Sequence, residues 1–220
     1  MTTVGAPAVD DGTDPIAGPR RSILAQDRSR RTREALIDAA FALWTERGFE
    51  AGFETTTVEE IARGAGVSKG TFYFHFARKV DVLLERNAAI DHAMAVATRE
   101  AVEAGASVDD AVVRALEEMA ERTEQMPRAA LGQILREYHT SPVLARERSA
   151  FRTMLPGLFA DAQRRRELPP APDPERLADL VAAIILSSCA AWAEGRTTRL
   201  GPELTYAARV LFAGVRSLSS

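Results

Sequence analysis

The chain has one cysteine, Cys189, so no disulfide can form within it, and a reducing, cytoplasmic compartment is the simpler expectation. Cys189 sits in the apolar run LADLVAAIILSSCAAWAEG and reads as a small buried hydrophobe. The histidines His75, His92 and His139 form no metal-like pair with each other or with the cysteine, so neither a metal nor a cofactor is expected. Ser187 and Ser188 lack a glycine elbow, and no glycine-rich loop that could cradle phosphates appears. The acid pairs Asp109-Asp110 and Glu117-Glu118 read as helix starts or solvated faces, which leaves catalysis without local support. Long apolar runs are missing too. The longest uncharged stretch, Leu180 to Ala193, falls short of the roughly 20 residues a membrane-crossing helix needs, so no membrane partner is expected. The N-terminus has no cationic start followed by an apolar block and does not read as a secretory signal.

Charge and hydrophobicity point elsewhere. The composition, 46% hydrophobic over 220 residues, suffices for a sizeable core. A net charge of −3 argues against wholesale coating of nucleic acid, but the excess of bases over acids lies between residues 20 and 86. Residues 1–27 begin with proline, glycine and acids without periodicity, and are read as a disordered tail. From Arg28, SRRTREALIDAAFALWTERG spaces Leu36, Ile37, Ala40, Phe41, Leu43 and Trp44 as an amphipathic helix entered through Arg28, Arg30, Arg31 and Arg33, with Gly48 as its left-handed stop. TTVEEIARGAG predicts a second, two-turn helix capped by Thr56 or Thr57, with Val58, Ile61 and Ala62 inward. Gly64 and Gly66 fit a tight turn plugged by Val67, and Ser68 caps a third short helix, Lys69 to Phe76. Two short helices joined by a glycine turn and backed by a longer one have the shape of a helix-turn-helix.

On that third helix Phe72 and Phe76 share one face and suit the core. Tyr73, His75, Lys69 and Thr71 with the helix start supply donors for phosphate oxygens and base edges, and a helix of this size fits the major groove. Phe74 has no donor and no place in that scheme.

Through ALIDAAFALWTERGF and TTVEEIARGAGVSKGTFYFHFARKVDVL the chain resembles the TetR family of bacterial transcriptional regulators over about fifty residues. Ile61, Ala62, Ala65, Gly66, Val67, Ser68, Gly70, Tyr73, His75, Phe76 and Lys79 occupy the family's places. The resemblance implies that Thr57 and Ser68 touch phosphates and that Lys69, Gly70 and Thr71 approach bases or backbone. Tyr73, His75 and Lys79 would clamp the backbone, and Arg30 and Arg31 are further candidate DNA contacts. Phe74 stands where the family often carries a second polar aromatic, so one phosphate contact is missing. Four residues appear inserted between Gly48-Phe49 and Thr56-Thr57. Either the connection bulges or the first helix gains a turn and Gly52-Phe53 takes the terminal role, and the bulge is preferred because Gly48 already sits at the stop.

All later periodicity is helical, so the fold class is all-α. A three-helix helix-turn-helix domain at residues 28–79 joins a larger helical domain at 80–220, which the resemblance makes regulatory and dimerising. Pro156 is expected to kink or split the helix over PVLARERSAFRTMLPGLFADAQRRRE. In the family the last two helices pair across a two-fold axis, which puts Leu180, Ile184, Ala191, Ala207, Leu211 and Val215 at a homodimer interface; a purely intramolecular core is the other reading. A dimer predicts a palindromic double-stranded operator. The family commonly holds a small-molecule effector among the middle helices. Candidate lining residues are Met94, Leu116, Met119, Leu131, Leu135, Tyr138, Phe151, Met154, Leu155, Leu158 and Trp192, each of which could equally be core. The ligand would be largely apolar, with Arg136 and Arg152 available to an acidic group. The function implied is a repressor released by that ligand. The alternative is a regulator of the same fold with a protein effector or none, or an activator.

Overall fold

The computed structural model describes residues 17–140 and 149–218, with side chains from Gln26 onward. Ten helices and no strand lie among the described residues. The first, α1, spans Ala17–Glu46 and starts earlier than Arg28, so residues 17–27 are not the disordered tail that the sequence suggested. The physical reason lies in its first turns. Pro19 falls where its missing N–H has no helical partner to lose, and Arg20 to Arg31 contains no further proline or glycine. The remainder of that tail, residues 1–16, lies outside the described residues.

Gly48, with φ of 76°, stops α1 as expected, yet the connection is neither a bulge nor an extra turn of α1. It is a separate helix, α2, Phe49–Thr55. Gly52 makes this possible: a Cβ there would stand 2.5 Å from the Trp44 carbonyl oxygen and 2.7 Å from its Cα, so only glycine lets α2 lie on the α1 backbone. Phe49 and Phe53 then close on Trp44, with ring centroids 5.7 and 5.1 Å away, in the edge-on geometry that aromatic quadrupoles favour.

The next two helices are α3, Val58–Gly64, and α4, Lys69–His75. Of the glycines at this turn, Gly64 and Gly66, only Gly66 needs its conformational freedom, at φ 69°. Gly64 is helical and matters for closeness, since a Cβ would meet that of Ala39 at 3.2 Å. Leu36, Ala40 and Trp44 of α1, Ile61 and Ala62 of α3, and Phe72 and Phe76 of α4 are buried together, which completes the head.

The body follows as α5 (Lys79–Glu103), α6 (Val108–Glu124), α7 (Arg128–Thr140), α8 (Ala150–Arg164), α9 (Pro174–Ala193) and α10 (Leu200–Ser217). Starts are set by side-chain caps: Ser107 accepts from the Asp110 amide, Ser149 from Arg152, and Asp173 from Glu175 and Arg176. Pro156 lies inside α8 without splitting it, at the loss of one backbone hydrogen bond. The upstream part of that expected helix, residues 142–148, lies outside the described residues. Two polar staples tie the body together. Glu124 at the end of α6 accepts from the Leu200 amide at 2.6 Å, and the Arg128 guanidinium donates to the carbonyls of Trp192, Thr197 and Thr198 at 2.6–3.0 Å. By length and composition α9 is apolar enough to cross a membrane, at mean hydropathy 1.5. Its face of Leu177, Ala178, Val181, Ser188, Cys189 and Trp192 is instead buried, and the helix packs on α7, α8 and α10.

Candidate nucleic-acid interface and ligand cavity

The head presents α4 with its polar face outward. Ser68 caps it by accepting from the Thr71 amide at 3.1 Å, and the two hydroxyls lie 2.9 Å apart. Tyr73 is exposed, its ring edge-on to buried Phe72 at 5.6 Å. Lys69 pairs with Glu59 of α3 and stands 5.9 Å over the Tyr73 ring. That pairing raises the lysine's pKa and lowers the glutamate's through their hydrogen bond. Gly70 is exposed, with open space where a side chain would be except for the Ser68 hydroxyl 3.7 Å off. His75 is half-buried, and burial together with nearby Arg33 lowers its pKa. Arg30 and Arg31 are exposed on α1, and Arg30 pairs loosely with Asp27 and Glu34 at 3.4 and 3.9 Å. Thr57 caps α3 as expected, in a reciprocal box with Glu60, whose carboxylate takes the Thr57 amide at 2.8 Å. Arg47 holds that carboxylate at 2.6 Å. Together these contacts drop its pKa to about 2.

Lys79 departs from expectation. Its ammonium is turned onto the end of α2, donating to the carbonyls of Phe53, Glu54 and Thr56, and so does not stand free to clamp a phosphate. The cause is the additional helix, whose unpaired C-terminal carbonyls attract a cation. Arg47, which holds Glu60, and Arg33, which pairs with Glu85 at 2.6 Å and stacks over Phe76, are the cations the sequence reading undervalued.

In the body a cavity of about 580 Å³ opens between α5, α6, α7, α8 and α9. Met94, Met119, Leu131, Leu135, Tyr138, Phe151 and Leu155 line it, as the sequence suggested. Leu116, Met154, Leu158 and Trp192 do not. Leu116 is fully buried among packed helices, Leu158 is buried in the core, Met154 packs against that core from a half-exposed position, and Trp192 is covered by the Arg128 guanidinium 4.7 Å from its ring. A three-four stripe marks an inward face, and only part of such a face borders a void. Polar groups also line the cavity. Asn87 donates to the Tyr138 hydroxyl at 2.7 Å, and Asp91 accepts from the Ser149 hydroxyl at 2.5 Å and the Ala150 amide at 2.6 Å. Arg152 lines the wall and pairs with Asp179 at 2.6 Å and Glu175 at 3.4 Å. Arg136 is exposed, held by Gln133, and is not among the lining residues. Asn87 and Asp91 escaped the sequence reading because polar residues on α5 resemble a solvated face until α7 and α8 pack over them.

The proposed interface residues divide. Leu180 is exposed, Ile184, Ala207 and Leu211 are half-buried, and Ala191 and Val215 are buried within the protomer, at 7% and 4% exposure. Those two are corrected to buried positions of the protomer itself, which leaves them little surface to offer a second copy. Leu180, Tyr206 and Val210 carry exposed apolar surface on the pair, at 42%, 70% and 54%, while Leu186, although 50% exposed, borders the cavity.

Residues 36–85 match the family described as bacterial regulatory proteins, tetR family. The HTH-type transcriptional regulator TcmR of Streptomyces glaucescens is 43% identical over 74 residues, covering 34% of this chain and 31% of that protein. The HTH-type transcriptional repressor KstR2 of Mycobacterium tuberculosis is 41% identical over 63 residues, covering 29% of this chain and 28% of that protein. The alignments thus span less than a third of the length of these two relatives. Among solved structures, the Thermus thermophilus FadR, a TetR family repressor in complex with lauroyl-CoA, superposes with a TM-score of 0.65 at 26% identity, over 81% of this chain and 92% of that one. FadR of Bacillus halodurans, at 18% identity and TM-score 0.63 over 84% and 96%, shares the fold.

Proposed function

We propose that this chain, whose residues 36–85 match the tetR family of bacterial regulatory proteins and whose fold is similar to that of the Thermus thermophilus FadR, is a homodimeric, ligand-released transcriptional repressor acting in the bacterial cytoplasm. The observation that carries this reading is the outward face of α4, where Ser68, Lys69, Thr71 and Tyr73 stand exposed or half-exposed around an unobstructed Gly70. Together with the capped start of α3 at Thr57, these groups suit phosphates on either side of a major groove. Pairing of two copies through the exposed Leu180, Tyr206 and Val210 would set two such helices about 34–36 Å apart, one turn of DNA, and demand an inverted repeat.

The cavity supports the release mechanism. It is walled mainly by apolar side chains with a few polar groups among them, the pattern of a site for a largely apolar molecule carrying a hydrogen-bonding group. Its wall includes α7, which touches α2, and the Arg78 guanidinium at the start of α5 reaches Glu137 of α7 at 3.7 Å. A ligand that shifts α7 therefore has a direct line to the head, by differential contact in two states. Selection from a randomised duplex pool tests the DNA reading, and an enriched inverted repeat is expected. Leu135→Trp, which fills the cavity, should keep operator binding and abolish release by apolar ligands; loss of operator binding alone would count against the mechanism.

A further inference from the structure

Phe74 has no assigned role, and its position is unusual. It lies two residues from each of Phe72 and Phe76, which are 0% and 2% exposed, and so points to the opposite side of α4 at 80% exposure. Gly70, one turn earlier, shares that outer face. The bare backbone at Gly70 lets the start of the helix come close to a surface, and the ring of Phe74 then reaches it one turn further on. Leaving a phenylalanine in water forgoes the whole gain of its burial, so an 80% exposed ring at the centre of a binding face suggests burial in the complex. Its described ring neighbour is His75, edge-on at 5.1 Å, which leaves the far side of the ring open.

The chemistry of the groove narrows what could cover it. Phenylalanine neither donates nor accepts a hydrogen bond, so it cannot hold a phosphate or match a donor–acceptor pattern. The apolar group that a base pair offers in the major groove is the 5-methyl of thymine. Thr71 and Tyr73 flank Phe74 and bring the polar groups that fix the helix against the backbone, so the ring is carried to the base edges.

Resting on the DNA-binding reading above, we propose that Phe74 is a specificity-determining residue that reads a thymine methyl in each half of the operator. The missing polar aromatic is therefore an exchange of one phosphate contact for sequence information.

The test uses the full-length protein and the inverted repeat it selects from the randomised pool. Each thymine is replaced in turn by deoxyuridine, which removes the methyl and keeps every hydrogen-bonding group. For the wild type, one symmetric pair of positions should cost about fourfold per half-site, the worth of one buried methyl group. Phe74→Ala should lose a similar or larger factor on the thymine operator and become indifferent to deoxyuridine at that pair. Because Phe74 is exposed, its melting temperature should stay that of the wild type, so the loss cannot be blamed on unfolding. A selected operator whose binding ignores every deoxyuridine, or a methyl effect equal in the wild type and Phe74→Ala, overturns the Phe74 assignment alone. Failure to select any duplex refutes the DNA-binding reading itself and this inference with it.

Discussion

Replacing Lys79 with methionine separates two roles for a single ammonium. The side chain keeps nearly its length, while the donors to the carbonyls of Phe53, Glu54 and Thr56 vanish from the end of α2. A hydrogen bond from a charged donor is worth about 1.5–3 kcal/mol net. Three bonds sharing one charge do not add, and burial that pushes the Lys79 pKa below its ordinary value shows that desolvation offsets part of the gain. A net loss of about 2 kcal/mol is the reasonable figure, equivalent to a fall in Tm of about 4–8 °C for a chain of this length. Differential scanning calorimetry reads that fall directly. Operator binding measured against salt at 15 °C, where both proteins are folded, reads the other role: a lost phosphate contact would reduce the log–log slope by about one per protomer. The expected result is a lowered Tm with an unchanged slope. An unchanged Tm with a slope reduced by about one would refute the structural assignment and return Lys79 to the DNA.

Gly52→Ala forces a Cβ against the Trp44 backbone, so α2 must lift from α1; a destabilisation of about 1–3 kcal/mol is expected, with the near-ultraviolet signal of Trp44 lost earlier in a urea titration. Glu60 has its folded pKa lowered to about 2 by Arg47 and Thr57, so its contribution is complete above the unfolded value near 4.5 and is lost as pH falls toward 2. Acid titration of Glu60→Gln should show a shallower loss of stability across that window, and an identical curve would count against the Arg47–Glu60–Thr57 box. Leu180→Glu with Val210→Glu places charge on the exposed apolar surface of α9 and α10 and should yield a folded monomer by sedimentation, with operator affinity reduced at least tenfold. A dimer surviving both changes would move the interface elsewhere.

Much of the head was legible because its signals are local. Thr57 and Ser68 cap their helices, Gly66 takes the positive φ, and the four-residue spacing of Phe72 and Phe76 fixes which face of α4 is buried. A cap, a turn and a helix face each depend on neighbours within one or two turns of chain. The fate of Lys79 depends on carbonyls more than twenty residues away, on a helix the sequence offered only as a bulge or as an extra turn of α1. Nothing local in FEAGFET says helix. It becomes one because Gly52 fits the bare backbone at Trp44, a contact that exists only after α1 has formed.

The body divides on the same principle. Periodicity alone determined that it is helical and which side of each helix is apolar, since burial follows a stripe repeating every three or four residues. Tertiary packing decided how that apolar surface was used. Met119 and Leu135 border the cavity while Leu116 is packed solid, and Ala191 and Val215 are spent inside the protomer while Tyr206 and Val210 remain outside. A single strand of sequence records that a residue avoids water. Whether it does so against its own core, a ligand or a second copy depends on which helix lies opposite, and that is set only when distant segments meet.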